Sequence, residues 1–513
     1  MDNSITSKFH ASMNRSPSLE MELLGLFERW VNPIHKFLDE KTTQALQLEL
    51  GKDWNESPLL RLAVLSAGSL ITSNKEARAY GDALSGHAES IALAACRRQP
   101  NIGTIQALSL LAWRELGLDN ENMAWLYILS SLKPLSEVVS TRAGPGRGFS
   151  ETLSVRAQTF WAVLLQERIA TSLLGRHPLI PSGRVQSIGF LSTLQRPPTL
   201  DETVFDLHCE LWFLHDKYMD KIYSFDFAGL ELHTRLKLLV DAREDLSVFH
   251  KRLSVLPVPQ SRGTADNDVE CAGPLIFCRM SYHMSQLLIH RPYLGERGND
   301  NALQLSAQTS WHAADAMARL VRTAEKRGLL TMAPVFVVHS ILTAAVTLLM
   351  FSTSQQTRIR SQAVSRFRTC FNAILLMVNT WPRAARGIAV LRELAYRWKV
   401  VATLPLQHSM PLGGTLPLSG TKSGGTTMPT SAEDLTGAET MEAARSFPLR
   451  HFESGPEQEG NETRHFEWPG VRSFDPLLFS DLDLASYGLP QGENATNNDE
   501  EFEGDASLAF WAM

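Results

Sequence analysis

The stretch FWAVLLQERIATSLLGRHPLIPS, Phe160 to Ser182, sets a Glu-Arg pair inside an apolar helical run that stops on Gly-Arg-His-Pro. A carboxylate beside a guanidinium on a helix can act as an acid–base couple, but only where a second polar group converges on it. The sequence supplies no such partner for Glu167 and Arg168, so the pair reads as a structural ion pair. Phe160, Trp161, Leu164, Leu165, Ile169 and Leu173 recur at helical spacing and form one broad apolar face, with Glu167 and Arg168 toward its edge. Each large side chain buried there contributes about 1.5–3 kcal/mol. Gly175 stands where a helix end takes positive φ, and Pro178 bars resumption. Arg176 is expected to fold back onto Glu167 or a neighbouring acid.

Other groupings fail on spacing. Cys271 and Cys278 have six residues between them, but a binuclear zinc cluster needs a further Cys two residues away and a second triplet, and neither exists. His208-Cys209-Glu210 matches half of a zinc-deaminase motif with no P-C-x-x-C after it. His208 and His215 share a helix face without forming HExxH, and read as surface or satisfied core histidines. Gly144-Pro145-Gly146-Arg147-Gly148 has no strand before it and no Walker lysine, and no G-x-S-x-G elbow occurs. No catalytic, cofactor or metal constellation is expected within the chain.

The elements that must position these residues are helices. From Leu19 to about Ala402 apolar residues recur at three- and four-residue spacing, with no long alternating stretch. The pattern predicts helices over Leu19–Trp30, Thr42–Leu50, Pro58–Ser73, Arg78–Arg98, Ile102–Glu115, Met123–Val138, Leu153–Leu174, Thr203–Asp220, Leu230–Leu253, Pro274–Ile289, Gln308–Lys326, Pro334–Phe351, Gln355–Met377 and Arg383–Trp398. Breakers separate them, among them Asn32-Pro33, Gln99-Pro100, Pro197-Pro198 and Trp381-Pro382. The expected fold is all-α, a multi-helix domain over 19–402 behind a disordered lead at 1–18.

A chain of 513 residues is too long for one compact core, so two or more packed units are expected. Its 44% hydrophobic and 20% charged residues fit a soluble globular protein, and a net charge of −6 argues against a surface wholly given to nucleic acid. The five scattered cysteines read as reduced thiols rather than a disulfide framework. The most apolar run, Ala333 to Phe351, carries His339 and Ser340 and reads as a buried helix, so no membrane span is expected.

After Leu404 the composition changes. Gly, Ser, Thr and Pro dominate 403–470, which reads as a flexible linker. From Phe474 to Met513 there is no Lys or Arg, and acids alternate with bulky apolar residues. Phe474, Leu477, Leu478, Phe479, Asp481, Leu482, Asp483 and Leu484, within FDPLLFSDLDL, fit an acidic-hydrophobic activation segment over 471–513. Charge repulsion keeps such aromatics solvated until a co-activator groove captures them.

The quoted stretch, with Phe160, Trp161, Glu167, Arg168, Gly175, Arg176 and Pro178, resembles the signature of the middle homology region of fungal binuclear zinc-cluster transcription factors. MELLGLFERWVNPIHKFLDE, SPLLRLAVLSAGSL, the run from Ala77 to Gly117, LLIHRPYL with His290, Arg291 and Pro292, Ala313–Phe351 and Trp381–Trp398 follow the family's helices in order, over about 19–400. The resemblance implies an all-α regulatory domain and transcriptional control in the nucleus, often of a metabolic or secondary-metabolite biosynthetic pathway. Partners implied are the transcription machinery or co-activators, DNA indirectly, and a homo- or heterodimer. Relatives carry a six-cysteine zinc cluster before this region. Here Met1 falls just ahead of it, so zinc is expected only with an N-terminal cluster outside this chain, and DNA contact from that segment or from a partner. Glu167 replaces an Asp, His177 intrudes between Arg176 and Pro178, and Leu129–Val139 lacks the family's Gly-Leu-His ending. The leading expectation is a transcription regulator rather than an enzyme. The alternatives are a co-regulator or inhibitor without DNA binding, and an all-α enzyme with an unrecognised pocket.

Overall fold

The computed structural model describes residues 16–51, 59–97, 101–140, 149–180, 190–194, 196–257, 266–295 and 299–408, the side chains of 133–140, 149–153 and 266–272 excepted. Among the described residues the regular structure is helical throughout, without a strand. Residues 409–470 of the linker, the acidic segment and the Cys271 side chain lie outside what is described. In chain order the helices are α1 Pro17–Leu26, α2 Asn32–His35, α3 Glu40–Gln47, α4 Leu59–Gly68, α5 Lys75–Arg97, α6 Ile102–Gly117, α7 Glu121–Ser140 and α8 Phe149–Leu174. The second half holds α9 Leu200–Ile222, α10 Leu232–Val255, α11 Asp266–His290, α12 Asp300–Lys326, α13 Val335–Phe351, α14 Thr357–Met377 and α15 Pro382–Arg397.

Local chemistry sets the ends. Ser16 caps α1 by accepting the Leu19 N–H, with Pro17 at the first helical position, so the helix starts two residues before the apolar pattern does. Thr199 and Glu202 form a reciprocal capping box at α9, and Arg196 clamps Glu202 at 2.7 and 2.8 Å. Asn101 and Asn299 cap α6 and α12.

Three elements depart from the sequence pattern, one being α12, which starts at Asp300 behind the Asn299 cap rather than at Gln308. The first predicted helix passes through a π-helical turn, Phe27–Val31, and Asn32-Pro33 opens α2 instead of breaking the chain. The turn comes later, at Lys36 with φ 50°, where the Asn32 side chain donates to the Leu38 carbonyl at 2.9 Å and accepts its N–H at 3.0 Å. Likewise α11 begins before Pro274 and runs through it, because the ring removes only one rung of the ladder.

Packing follows two cores. The larger joins α1, α4, α6, α8 and α13–α15, and the smaller gathers the facing sides of α9, α10 and α11. α13 is buried almost all round, as its nearly uninterrupted apolar sequence requires. Where α4 crosses α1, a Cβ added at Gly68 would stand 2.1 Å from the Leu23 carbonyl oxygen, so only glycine permits that approach. A buried polar knot ties the same corner: Glu20 accepts from Arg61 at 2.6 Å, Tyr80 at 2.7 Å and the Gly51 N–H at 2.7 Å. No described helix is long and apolar enough to cross a membrane.

Candidate functional site

The exit of α8 is built around Glu167 and Arg168, both fully buried. This corrects the expected edge position: α8 from Ala162 to Thr171 is covered on every side. Arg168 pairs with Glu167, donates to the Ile180 carbonyl and lies 3.4 Å from Asp216 of α9, with its guanidinium 5.3 Å from the Phe213 ring. Glu167 also accepts the Leu179 N–H at 2.6 Å. Gly175 takes φ 62°, and the chain doubles back so that residues 179 and 180 meet the middle of the helix they left. Burial pushes the Glu167 carboxyl up to about 7 and Asp216 up to about 6, against the pull of Arg168. A carboxyl poised near neutrality suits proton transfer, yet no substrate atom can reach one enclosed on all sides. The geometry is a lock between α8, its exit segment and α9.

Arg176 does not fold back onto Glu167. Its guanidinium sits 4.8 Å from the centre of the Trp125 ring of α7, because the left-handed turn at Gly175 aims residue 176 away from the helix axis. The inserted His177 is exposed and meets Asp220 at 3.2 Å. Phe160 and Trp161 are half-buried; the Trp161 ring lies edge-on to Phe160 and to Phe213. Pro178 lies in the return segment, and His290 ends α11 and contacts Ser306 at 3.2 Å. Arg291 and Pro292 begin a 3-10 turn, Arg291–Gly295. The structure brings the α8 residues into one elbow and places His290, Arg291 and Pro292 at the end of α11 and the 3-10 turn after it.

Behind the elbow runs a seam of buried histidines. His208 meets Ser281 at 3.1 Å and accepts the Trp212 indole N–H at 3.0 Å. His215 lies between Ser285 at 3.0 Å and Ser172 at 3.4 Å. The Trp113 indole donates to His35 at 3.0 Å. Burial drives His35, His208 and His215 down to about 3, so all are neutral. Satisfied by hydroxyl and indole partners, His208 and His215 are core histidines. Among the described residues no group of three or more His, Cys, Asp or Glu could hold a metal ion.

One surface escaped the sequence reading. Two adjoining depressions of about 350 and 450 Å³ run between α10, α11 and α12. Arg243 and His250 come from α10, Arg279, His283 and His290 from α11, and His312 and Arg319 from α12, with no Asp or Glu in the lining. His250 stacks on Tyr282 at 4.9 Å. The signal was present as helical spacing, 243/250 and 279/283/290, but it became a site only once three helices aligned those faces.

Residues 24–187, from α1 to beyond the elbow, match the family model described as fungal specific transcription factor domain. The chain is also similar to an uncharacterized transcriptional regulatory protein of Schizosaccharomyces pombe, 22% identical over 425 residues, which is 76% of this chain and 66% of that one. It is similar as well to the nitrogen assimilation transcription factor nit-4 of Neurospora crassa, 22% identical over 335 residues, 59% of this chain and 28% of that one. The match thus spans just under two thirds of the first relative and little over a quarter of the second. The groove between α10 and α12 lies outside the segment the family model covers. Through its first eight helices and the elbow that follows them, the chain is similar to the fungal specific transcription factor domain.

Proposed function

We propose that the protein is a nuclear transcription regulator of a fungal metabolic or secondary-metabolite biosynthetic pathway. The observation that carries this reading is the domain match over 24–187, in a chain whose relatives are named as transcriptional regulators. The helical domain receives a regulatory input, and residues 471–513 recruit the transcription machinery or a co-activator. DNA contact comes from a partner or from a zinc-cluster segment outside this chain. Acids interspersed with Phe474, Leu477, Leu478, Phe479, Leu482 and Leu484 support the recruiting role.

Residues 471–513 fused to a foreign DNA-binding domain should raise reporter output, and replacing those six apolar residues with alanine should return it to background. A silent fusion would refute the recruiting role and leave a co-regulator or inhibitor that competes for partners.

A further inference from the structure

We infer that the trench between α10, α11 and α12 is a binding site for a small organic polyanion, one that presents carboxylate or phosphate oxygens at both ends. The two depressions share His250, Tyr282, His283, Ala316 and Arg319 and form one continuous space of the size that small ligands occupy. Arg279 and His290, near its two ends, are eleven residues apart on α11, about 16 Å along the axis.

The charge in the trench is only partly compensated. No carboxylate lines it, in a chain whose net charge is −6. Arg243 has no ion pair among the described residues, and its positive charge joins burial in holding the His290 ring neutral. Arg319 pairs with Asp315, but Asp315 is divided between Arg319 and Arg366, two guanidiniums to one carboxylate. Arg279 spends one N–H on the Leu256 carbonyl at 3.0 Å. Guanidinium forks at both ends give bidentate sites for anionic oxygens, and Ser247, Gln286 and Thr309 add neutral donors between them. The floor of Leu246, Leu253 and Leu320 is apolar, which suits a carbon skeleton joining the charged ends.

The inference concerns this trench alone and does not depend on the proposed function. The test is calorimetric titration of the full chain with citrate, with pyrophosphate and with a bis-phosphorylated sugar, against sodium chloride at matched ionic strength. Saturable one-site binding of at least one is expected, and which one separates carboxylate from phosphate recognition. Arg243→Gln, at an exposed position with no ion pair among the described residues, should fold normally and weaken binding about tenfold or more. Arg252→Gln, which removes the pairing with Glu210 elsewhere on α10, should leave binding unchanged. Heat no different from chloride, or equal affinity in Arg243→Gln, would overturn the inference. So would binding confined to an added 471–513 peptide, which would make the trench a peptide dock.

Discussion

Removing the Arg168 guanidinium would strand a carboxyl that has no route to water. Arg168→Ala leaves Glu167 buried with only the Leu179 N–H and frees the Ile180 carbonyl, so about 3–5 kcal/mol of stability should be lost in urea unfolding. Arg176→Ala removes one exposed contact with Trp125 and should change stability near the limit of measurement. Equal losses in the two variants would contradict the assignment of the lock to residue 168. At α1, Glu20→Ala should also destabilise, because it removes the acceptor shared by Arg61, Tyr80 and the Gly51 N–H. The adjacency of Glu167 and Arg168 was legible in the sequence. Asp216, Ile180 and Leu179 were not, since only the reversal at Gly175 and the packing of α9 bring them near. Arg176 was misread for the same reason: sequence distance to Glu167 says nothing of the direction a left-handed turn imposes.

Helices were the most legible level. Spacing placed most helix ends to within a few residues, because buried apolar faces fix the period that a helix needs, while α11 and α12 begin well before their apolar pattern does. Termini moved where a cap outside the apolar pattern decides them, as Ser16 and Thr199 do. Asn32-Pro33 misled because proline is as welcome in a first helical turn as it is unwelcome in a helix interior. The cationic trench was illegible because each helix contributes only two or three of its residues. Crossing geometry gives a paired prediction. Gly68→Ala must push α4 off the Leu23 carbonyl and should destabilise by about 1–3 kcal/mol. Gly86→Ala, in the exposed middle of α5 with nothing within 4 Å, should stabilise by about 0.4–1 kcal/mol. A tolerated Gly68→Ala would mean that α1 and α4 do not meet as described.

Across the whole molecule the buried histidines set the response to acid. His35, His208, His215 and His290 are held down to about 3, and His283 and His339 to about 4, chiefly by burial. Below 6.5 the unfolded chain takes up protons that the folded chain refuses, so stability falls as pH drops from 6.5 toward 3. Glu167, raised to about 7, and Asp216, raised to about 6, work the other way: their contributions are lost as pH rises from about 4 through 7. Six histidines outweigh these two carboxyls. The melting temperature should therefore fall steadily between pH 7 and pH 5, and a flat profile would contradict the neutral seam. That seam stabilises the scaffold; the regulatory role rests on what the domain brings to chromatin. The most direct test of that role is chromatin immunoprecipitation of the tagged full chain in its native cells, paired with transcript profiling after its depletion. The account predicts enrichment at a limited set of promoters whose transcripts change on depletion. No promoter enrichment together with unchanged transcripts would contradict it.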